Sequence, residues 1–193
     1  MRKMLMLFGL MLAFATPSFA ADLTKSAGSG RCAAIAFGPN DKWGAESYKD
    51  TCEGAESAAR GYCEKNLRDQ GISGSCSNVR SSRAWVVGIA CHTPGGRASQ
   101  GLGTGETPAA AIAAALSQVG DAPGKRCGTT IIRSANHKWR EFYSTSWSVQ
   151  LSCGSKVVSS SELKGFTALT RALINCDRQP VGSIKVVSAE FGN

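Results

Sequence analysis

The chain has 193 residues, of which 42% are hydrophobic and 19% charged, and its formal net charge at pH 7 is +8. This length suits one domain, or two small ones that share a core. Beyond the N-terminal segment no apolar run approaches the roughly 20 residues that a membrane-spanning helix needs, so the sequence predicts no transmembrane segment.

Residues 1–20 have the features of a secretory signal peptide. Two basic residues precede an apolar run, 4–15, and the small residues that end at Ala20 favour cleavage before Ala21. Residues 21–30 are small, polar and aperiodic, which is typical of a flexible lead-in. The sequence therefore predicts a bacterial periplasmic or secreted protein.

The next section predicts a β-hairpin followed by a helix. Residues 31–38 and 42–48 have the composition of two strands joined by a Pro-Asn turn. Asp50 and Glu53 match a capping box, and small and apolar residues recur behind them at helical spacing, so we expect a helix over 51–68.

A second hairpin and helix follow. Residues 84–91 are apolar on both alternating faces, which predicts a strand covered on two sides. GRASQGLGTG (96–105) predicts a Gly-rich return strand, in which the glycines indicate close backbone packing rather than a phosphate-binding loop. Thr107 as N-cap and Pro108 as first helical residue predict a buried, uncharged helix over 107–120.

The remaining section repeats earlier sequence. STSWSVQLSC (144–153) matches SRAWVVGIAC (82–91) at four spaced positions, and RCGTTIIRSANHKW (126–139) resembles RCAAIAFGPNDKW (31–43). We therefore expect a degenerate duplication in which 126–143 forms a hairpin equivalent to the first one. A third helix over 161–176 and a closing strand over 182–191 complete the prediction.

The predicted architecture is an α+β fold in which an antiparallel sheet and about three helices are internally duplicated and stabilised by disulfides. A first α+β unit spans 31–121, and a second unit, 122–193, shares its core. Lys and Arg balance Asp and Glu between residues 21 and 121, but outnumber them ten to four in the second unit. An anionic partner is therefore expected to contact the second unit.

All eight cysteines lie in the predicted mature chain, and their even number in an oxidising compartment favours disulfides. If the two copies are equivalent, antiparallel strand ends pair Cys32 with Cys91 and Cys127 with Cys153. Cys52 and Cys63 are too far apart on one helix to bond to each other. For the remaining four cysteines we prefer Cys63 with Cys76 and Cys52 with Cys176.

Several short stretches between residues 32 and 119 match a known pattern. They are CAAIAFG, WG, an Ala-rich helix ending at Cys63, then Cys76, WVVGIAC, GLGTG and a second Ala-rich helix. The pattern resembles a family of small secreted bacterial domains of unknown function, marked by GAIAY, WG and an Ala-rich helix ending in Cys, followed by a similar half. The resemblance implies a compact, disulfide-stabilised α+β domain and transfers no catalytic residue. This chain departs from the pattern because its second helix lacks the closing cysteine.

Basic and aromatic residues alternate around the bend near residue 137. This composition suits contact with a carboxylate or phosphate together with stacking on a ring. The alternative is that Trp139 belongs to the core and the charges are solvated. The candidate binding residues are Arg133, His137, Lys138, Trp139, Arg140 and Tyr143.

The sequence contains little that predicts catalysis. Ser161 and Lys164 match Ser-x-x-Lys at the start of the third predicted helix, but partner motifs are missing, and Ser161 is better explained as an N-cap. His92 and His137 are the only histidines and lack the spacing of metal ligands, so we predict no metal and no cofactor.

The sequence favours a non-enzymatic secreted or periplasmic binding module of the inhibitor, immunity or envelope-interaction type. Its partner is expected to be an acidic protein or an anionic glycan or lipid of the envelope, and the export signal argues against nucleic acid. One alternative is a small envelope hydrolase that uses carboxylates such as Glu46, Glu106 or Glu141. Another is a purely structural protein whose duplication offers two similar interaction faces.

Overall fold

The structure is a computed structural model that describes residues 30–92, 98–120, 126–138, 140–176 and 179–192. Within these residues the chain forms three antiparallel sheets of three strands each. The predicted signal peptide and nearly all of the predicted lead-in lie outside the described residues.

The first sheet is formed by a hairpin, a helix and a returning strand. These elements are β1 (Cys32–Phe37), β2 (Trp43–Lys49), α1 (Cys52–Asp69) and β3 (Asn78–Ser82). The strand order is β2–β1–β3, so β1 is central. The helix begins one residue later than the capping box predicted, because the Thr51 hydroxyl, not Asp50, accepts from the amide of Gly54 at 3.0 Å.

The second sheet repeats this order. Its elements are β4 (Trp85–His92), β5 (Ala98–Gly105), α2 (Pro108–Val119) and β6 (Arg126–Ser134), with β4 central. The predicted cap is confirmed, since the Thr107 hydroxyl accepts from the amide of Ala110 at 3.1 Å and Pro108 is the first helical residue.

The third sheet follows one helical turn, α3 (Glu141–Ser144). Its elements are β7 (Trp147–Cys153), β8 (Lys156–Glu162), α4 (Gly165–Asn175) and β9 (Ile184–Phe191), with β7 central. The predicted closing strand is confirmed as β9. The helix begins at 165 rather than 161 because β8 continues to Glu162, so Ser161 is a strand residue and not an N-cap.

The α+β class and the internal repetition are confirmed, and the described residues contain the repeat unit three times. Each unit is a hairpin, a helix and a third strand that pairs with the other side of the first strand. Trp85 and Trp147 occupy the same position, because each is the first residue of a central strand and faces the last residue of both neighbouring strands.

The predicted equivalence of 31–43 and 126–139 is wrong. Residues 126–134 form β6, which closes the second sheet, whereas residues 32–37 form the central strand of the first. The hairpin expected over 126–143 is also wrong, because residues 141–144 form the helical turn α3. The strands β3 and β8 were not predicted.

The sheets and helices stack in layers. The helix α1 covers one face of the first sheet, and Ile35 and Phe37 on the other face contact Val86 and Leu102 of the second sheet. The helices α2 and α4 lie between the second and third sheets. Both faces of β4 are therefore buried, as predicted, whereas alternate residues of β7 are partly exposed.

The glycines of β5 allow α2 to approach it closely. A Cβ on Gly101 would lie 2.0 Å from the carbonyl oxygen of Ala115, and one on Gly103 would lie 2.2 Å from that of Ala111. Real Cβ atoms do not tolerate such distances. The Gly-x-Gly-x-Gly stretch therefore serves helix–strand packing, as the sequence indicated.

Four disulfides are present, and each joins two cysteines of the same repeat unit. They are Cys32–Cys52, Cys63–Cys76, Cys91–Cys127 and Cys153–Cys176. The predicted Cys63–Cys76 bond is confirmed. The predicted bonds Cys32–Cys91, Cys127–Cys153 and Cys52–Cys176 are wrong, because each would join two different units and because β6 pairs with β4, which places Cys127 opposite Cys91.

Candidate functional site

The six predicted binding residues do not form one site. Arg133 lies on β6 and faces the first sheet, His137 is half-buried, and Lys138 and Arg140 are exposed. Trp139 and the side chain of Tyr143 lie outside what the structure describes. The bend is therefore divided between a buried part and an exposed basic part.

His137 belongs to an aromatic cluster between the second and third sheets. Its ring centroid lies 5.0 Å from that of Phe191 and 5.8 Å from that of Trp85, and Trp85 contacts Trp147 edge to face. Its Nδ1 lies 3.1 Å from the hydroxyl of Ser134. Burial lowers the pKa of His137, and the neighbouring Glu141 carboxylate offsets part of this shift. The neutral ring supports the packing of the bend.

Two cations of different repeat units lie over the ring of Tyr48. The Cζ of Arg31 is 3.3 Å from the ring centroid, and the Nζ of Lys138 is 5.5 Å from it. Tyr48 has a φ of 63°, which is rare for a residue with a side chain, and lies where the pairing of β1 and β2 is irregular. The irregular strand end thus places an aromatic ring between β1 and the bend.

Two further basic residues are close to Arg31 in space or to Lys138 in sequence. Arg83 donates from Nη1 to the carbonyl of Gly30, at 3.1 Å, immediately before Arg31. Arg140 is exposed two residues after Lys138. We call Arg31, Tyr48, Arg83, Lys138 and Arg140 the basic patch. The carboxylate of Asp50, 4.0 Å from Arg31, is 95% exposed and therefore screened by water.

A cavity of about 270 Å³ lies along β2, the strand that also contains Tyr48 of the basic patch. Its walls include one basic and one acidic side chain, Arg133 and Glu46. The other side chains of the lining are aromatic or polar: Trp43, Tyr62, Ser47 and Asn66. Arg133 is 9% exposed and Ser47 is 7% exposed. Within the described part of the chain, the hydroxyl of Ser47 makes no hydrogen bond.

Side chains cover the free edge of β2 where it borders this cavity. The side-chain amide of Asn66 donates to the carbonyl of Trp43 at 2.7 Å, and the carboxylate of Glu46 accepts from the amide of Ser47 at 2.9 Å. Covered edges resist pairing with a further strand. The cavity is therefore suited to a small group rather than to an added β-strand.

A second polar cluster joins the first and second sheets at their opposite ends. The buried carboxylate of Asp41 contacts the imidazole of His92 and accepts from Gln100 at 3.1 Å. Gln100 also donates to the carbonyl of Gly38 at 2.9 Å. These bonds hold the turn after β1 against β4 and β5, so Asp41 and His92 link two sheets.

The other residues considered for catalysis cap the bend, are exposed, or lie on separate elements. Glu141 accepts from the amide of Lys138 at 3.1 Å and so caps the bend, and Glu106 is exposed just before α2. Lys164 lies at the start of α4, after the strand that contains Ser161. Among the described residues, no group of three or more His, Cys, Asp or Glu side chains is placed to hold a metal ion.

Sequence reasoning missed Arg31, Tyr48 and Arg83, which contribute most of the basic patch. They precede Lys138 by 55 to 107 positions in the printed sequence, and no local pattern links them. Only the stacking of the repeat units brings them to one end of the molecule.

Comparison with protein-family models, curated proteins and solved structures finds no significant match to the chain. Among the described residues, no helix is both long enough and apolar enough to cross a membrane.

Proposed function

We propose that the mature protein is a secreted or periplasmic binding module whose basic patch contacts an acidic protein. The supporting observation is the pair of cations from separate repeat units, Arg31 and Lys138, over the ring of Tyr48. Arginine and tyrosine are enriched where protein interfaces gain most of their affinity. Positive charge around them speeds the encounter with an acidic surface and disfavours basic partners.

The rigid frame supports this role. Four disulfides fit an oxidising compartment, and each one fixes a single repeat unit. Arg31 directly precedes β1 and Tyr48 lies in β2, so the first sheet holds the backbone that carries both residues. Preorganisation reduces the entropy lost on binding. An inhibitor or immunity protein that blocks another protein fits these properties.

The test is affinity capture from envelope extract and culture medium with the oxidised mature protein. The patch variant is Lys138→Glu with Arg140→Glu, and the matched control is Lys156→Glu with Lys185→Glu. The control has the same change in net charge. Its residues pair with the C-terminal end of β7, whereas the bend that contains Lys138 and Arg140 precedes the N-terminal end of β7. Circular dichroism verifies that all three proteins fold.

The proposal predicts that the wild type and the control capture the same acidic protein and that the patch variant does not. Equal capture by the patch variant overturns the assignment of the patch. Captured material that resists protease, and is therefore glycan or lipid, overturns the choice of an acidic protein. Turnover of cell-wall fragments that is lost on Glu46→Gln contradicts a purely binding role and favours the hydrolase.

A further inference from the structure

We infer that the cavity along β2 is a binding pocket for a single carboxylate group. This inference goes beyond the proposed function, because the cavity is lined by different residues from those of the basic patch. It rests on a buried cation, Arg133, and a buried hydroxyl, Ser47, that line the same space. Ser47 has no hydrogen-bond partner within the described residues.

An unpartnered buried hydroxyl carries a desolvation cost that a ligand can relieve. Folded proteins satisfy nearly all buried polar side chains, and exceptions need an explanation such as a missing ligand. The hydroxyl of Ser47 can donate to one carboxylate oxygen. The guanidinium of Arg133 provides the opposite charge in a planar geometry that matches a carboxylate.

The charges around the cavity favour a monoanion. The carboxylate of Glu46 lies 3.7 Å from the ammonium of Lys49 and also accepts from a backbone amide, so its charge is balanced locally. Arg133 lines the same cavity and also donates from Nη1 to the carbonyl of Ile132 at 2.8 Å. A carboxylate adds one negative charge beside Glu46, whereas a phosphate dianion adds two and is repelled more strongly.

The size and walls of the cavity limit what is attached to the carboxylate. A volume of about 270 Å³ is slightly below that of common small-molecule sites, which begin at about 300 Å³. Trp43 and Tyr62 provide aromatic surface along the walls. A carboxylate on a short apolar chain therefore fits, either as a free small acid or as an acidic side chain of a bound protein.

The test uses 3-methylbutanoate as probe, with its uncharged amide and inorganic phosphate as controls. Binding is followed by the NMR shifts of the Ser47 amide and the Trp43 indole N–H in the full mature protein. We expect saturable shifts with the carboxylate and none with the amide or with phosphate. Absence of saturable shifts with the carboxylate, or equal shifts with its amide, overturns the inference.

Two variants separate a ligand site from a structural role. Ser47→Ala is expected to raise the unfolding temperature of the free protein, since it removes an unsatisfied buried hydroxyl, and to weaken carboxylate binding about tenfold. Arg133→Gln is expected to weaken binding by at least about tenfold. Unchanged binding in a folded Ser47→Ala protein contradicts the inference even if Arg133→Gln fails to fold.

The two sources of the carboxylate give different results in capture experiments. If the acid is a side chain of the protein partner, 3-methylbutanoate reduces capture and Ser47→Ala weakens it. If the acid is a free small molecule, capture is unaffected while the NMR shifts remain. The patch variant Lys138→Glu with Arg140→Glu is expected to bind 3-methylbutanoate normally, so failure of the proposed function leaves this test intact.

Discussion

Gly103 shows how one missing side chain sets the distance between a strand and a helix. A Cβ there would lie 2.2 Å from both the carbonyl oxygen of Ala111 and the amide nitrogen of Ala115. These are backbone atoms, so only a shift of α2 away from β5 could make room. Since α2 also contacts β9, that shift would disturb two sheets.

We therefore expect Gly103→Ala to lower the free energy of unfolding by about 3 kcal/mol, at the upper end of overpacking effects. The control is Gly128→Ala on β6, where a Cβ meets nothing within 4 Å. It is expected to change stability by less than about 0.5 kcal/mol. Denaturant unfolding of the oxidised proteins measures both, and equal stabilities would contradict the close packing of α2 on β5.

The lowered pKa of His137 predicts how the stability of the protein depends on pH. Because burial lowers its pKa in the folded state, the unfolded chain binds more protons just below the ordinary histidine pKa of about 6.5. The free energy of unfolding contributed by His137 is therefore lost as pH falls through this window. His137→Gln removes this loss, so the variant is expected to gain stability relative to the wild type between pH 7.5 and pH 5.

Denaturant unfolding of both proteins across this pH range measures the difference. All other residues are identical in the two proteins, so the comparison isolates the contribution of position 137. Stability curves that stay parallel from pH 7.5 to pH 5 would show that His137 is not desolvated by the aromatic cluster.

At the scale of elements, each repeat unit places one disulfide at the end where its central strand finishes. In the first unit this bond joins the helix to the segment before the third strand. In the second unit it joins the end of the first strand to the start of the third, and in the third unit it joins the end of the first strand to the C-terminal end of the helix. The cysteine pairs are Cys63–Cys76 in the first unit, Cys91–Cys127 in the second and Cys153–Cys176 in the third.

This arrangement predicts the products of proteolysis without reduction. Trypsin cleavage of the denatured, oxidised protein after Arg83 and within 133–140 should separate the units, since no disulfide joins two of them. Mass spectrometry should find the four pairs only within units. A peptide that links Cys32 to Cys91 or Cys127 to Cys153 would contradict the fold.

The disulfides also differ in the chain length that they close. Cys91 and Cys127 are 36 residues apart, and Cys63 and Cys76 are 13 apart. From the entropy of loop closure, replacing both cysteines by Ala should lower the unfolding free energy by about 4 kcal/mol for the longer loop and about 3 kcal/mol for the shorter. Calorimetry of the two double variants checks the order, and a larger loss for the shorter loop would contradict it.

The elements that the sequence predicted well carry strong local patterns. Capping residues and helical spacing located α1 and α2 to within about two residues, and apolar residues on both faces identified β4 as central. The strands β3 and β8 lack such a pattern because they are sheet edges rich in Ser, Asn, Arg and Lys. The Arg-Cys and Lys-Trp pairs shared by 31–43 and 126–139 favour the wrong equivalence of β6 and β1, and without β3 nothing in the sequence contradicts it.

The wrong disulfides follow from that one topological error. If β6 begins a hairpin, Cys127 lies opposite Cys153, but in the structure its neighbour across the sheet is Cys91. Cys63 and Cys76 were predictable because they lie 13 residues apart around one helix end. Local separation thus sufficed for one bond, and the others required the correct strand order.

For the whole molecule, the stacking of three repeat units creates sites that no single unit contains. Asp41 and His92 link the first two sheets at one end, and Arg31, Tyr48 and Lys138 meet at the other. The sequence located the bend around Lys138, but not its neighbours, because contacts between units have no local pattern. The excess of positive charge in 122–193 therefore accounts for only two residues of the basic patch, Lys138 and Arg140.

The most direct test of the binding role is the dissociation constant for the captured acidic protein, measured by isothermal titration calorimetry. Arg31→Ala and Lys138→Ala are each expected to weaken binding roughly three- to tenfold, and more salt should weaken wild-type binding. Lys185→Ala, which lies outside the patch, should leave the constant unchanged. Equal constants for all four proteins would contradict the assignment of the basic patch as the binding surface.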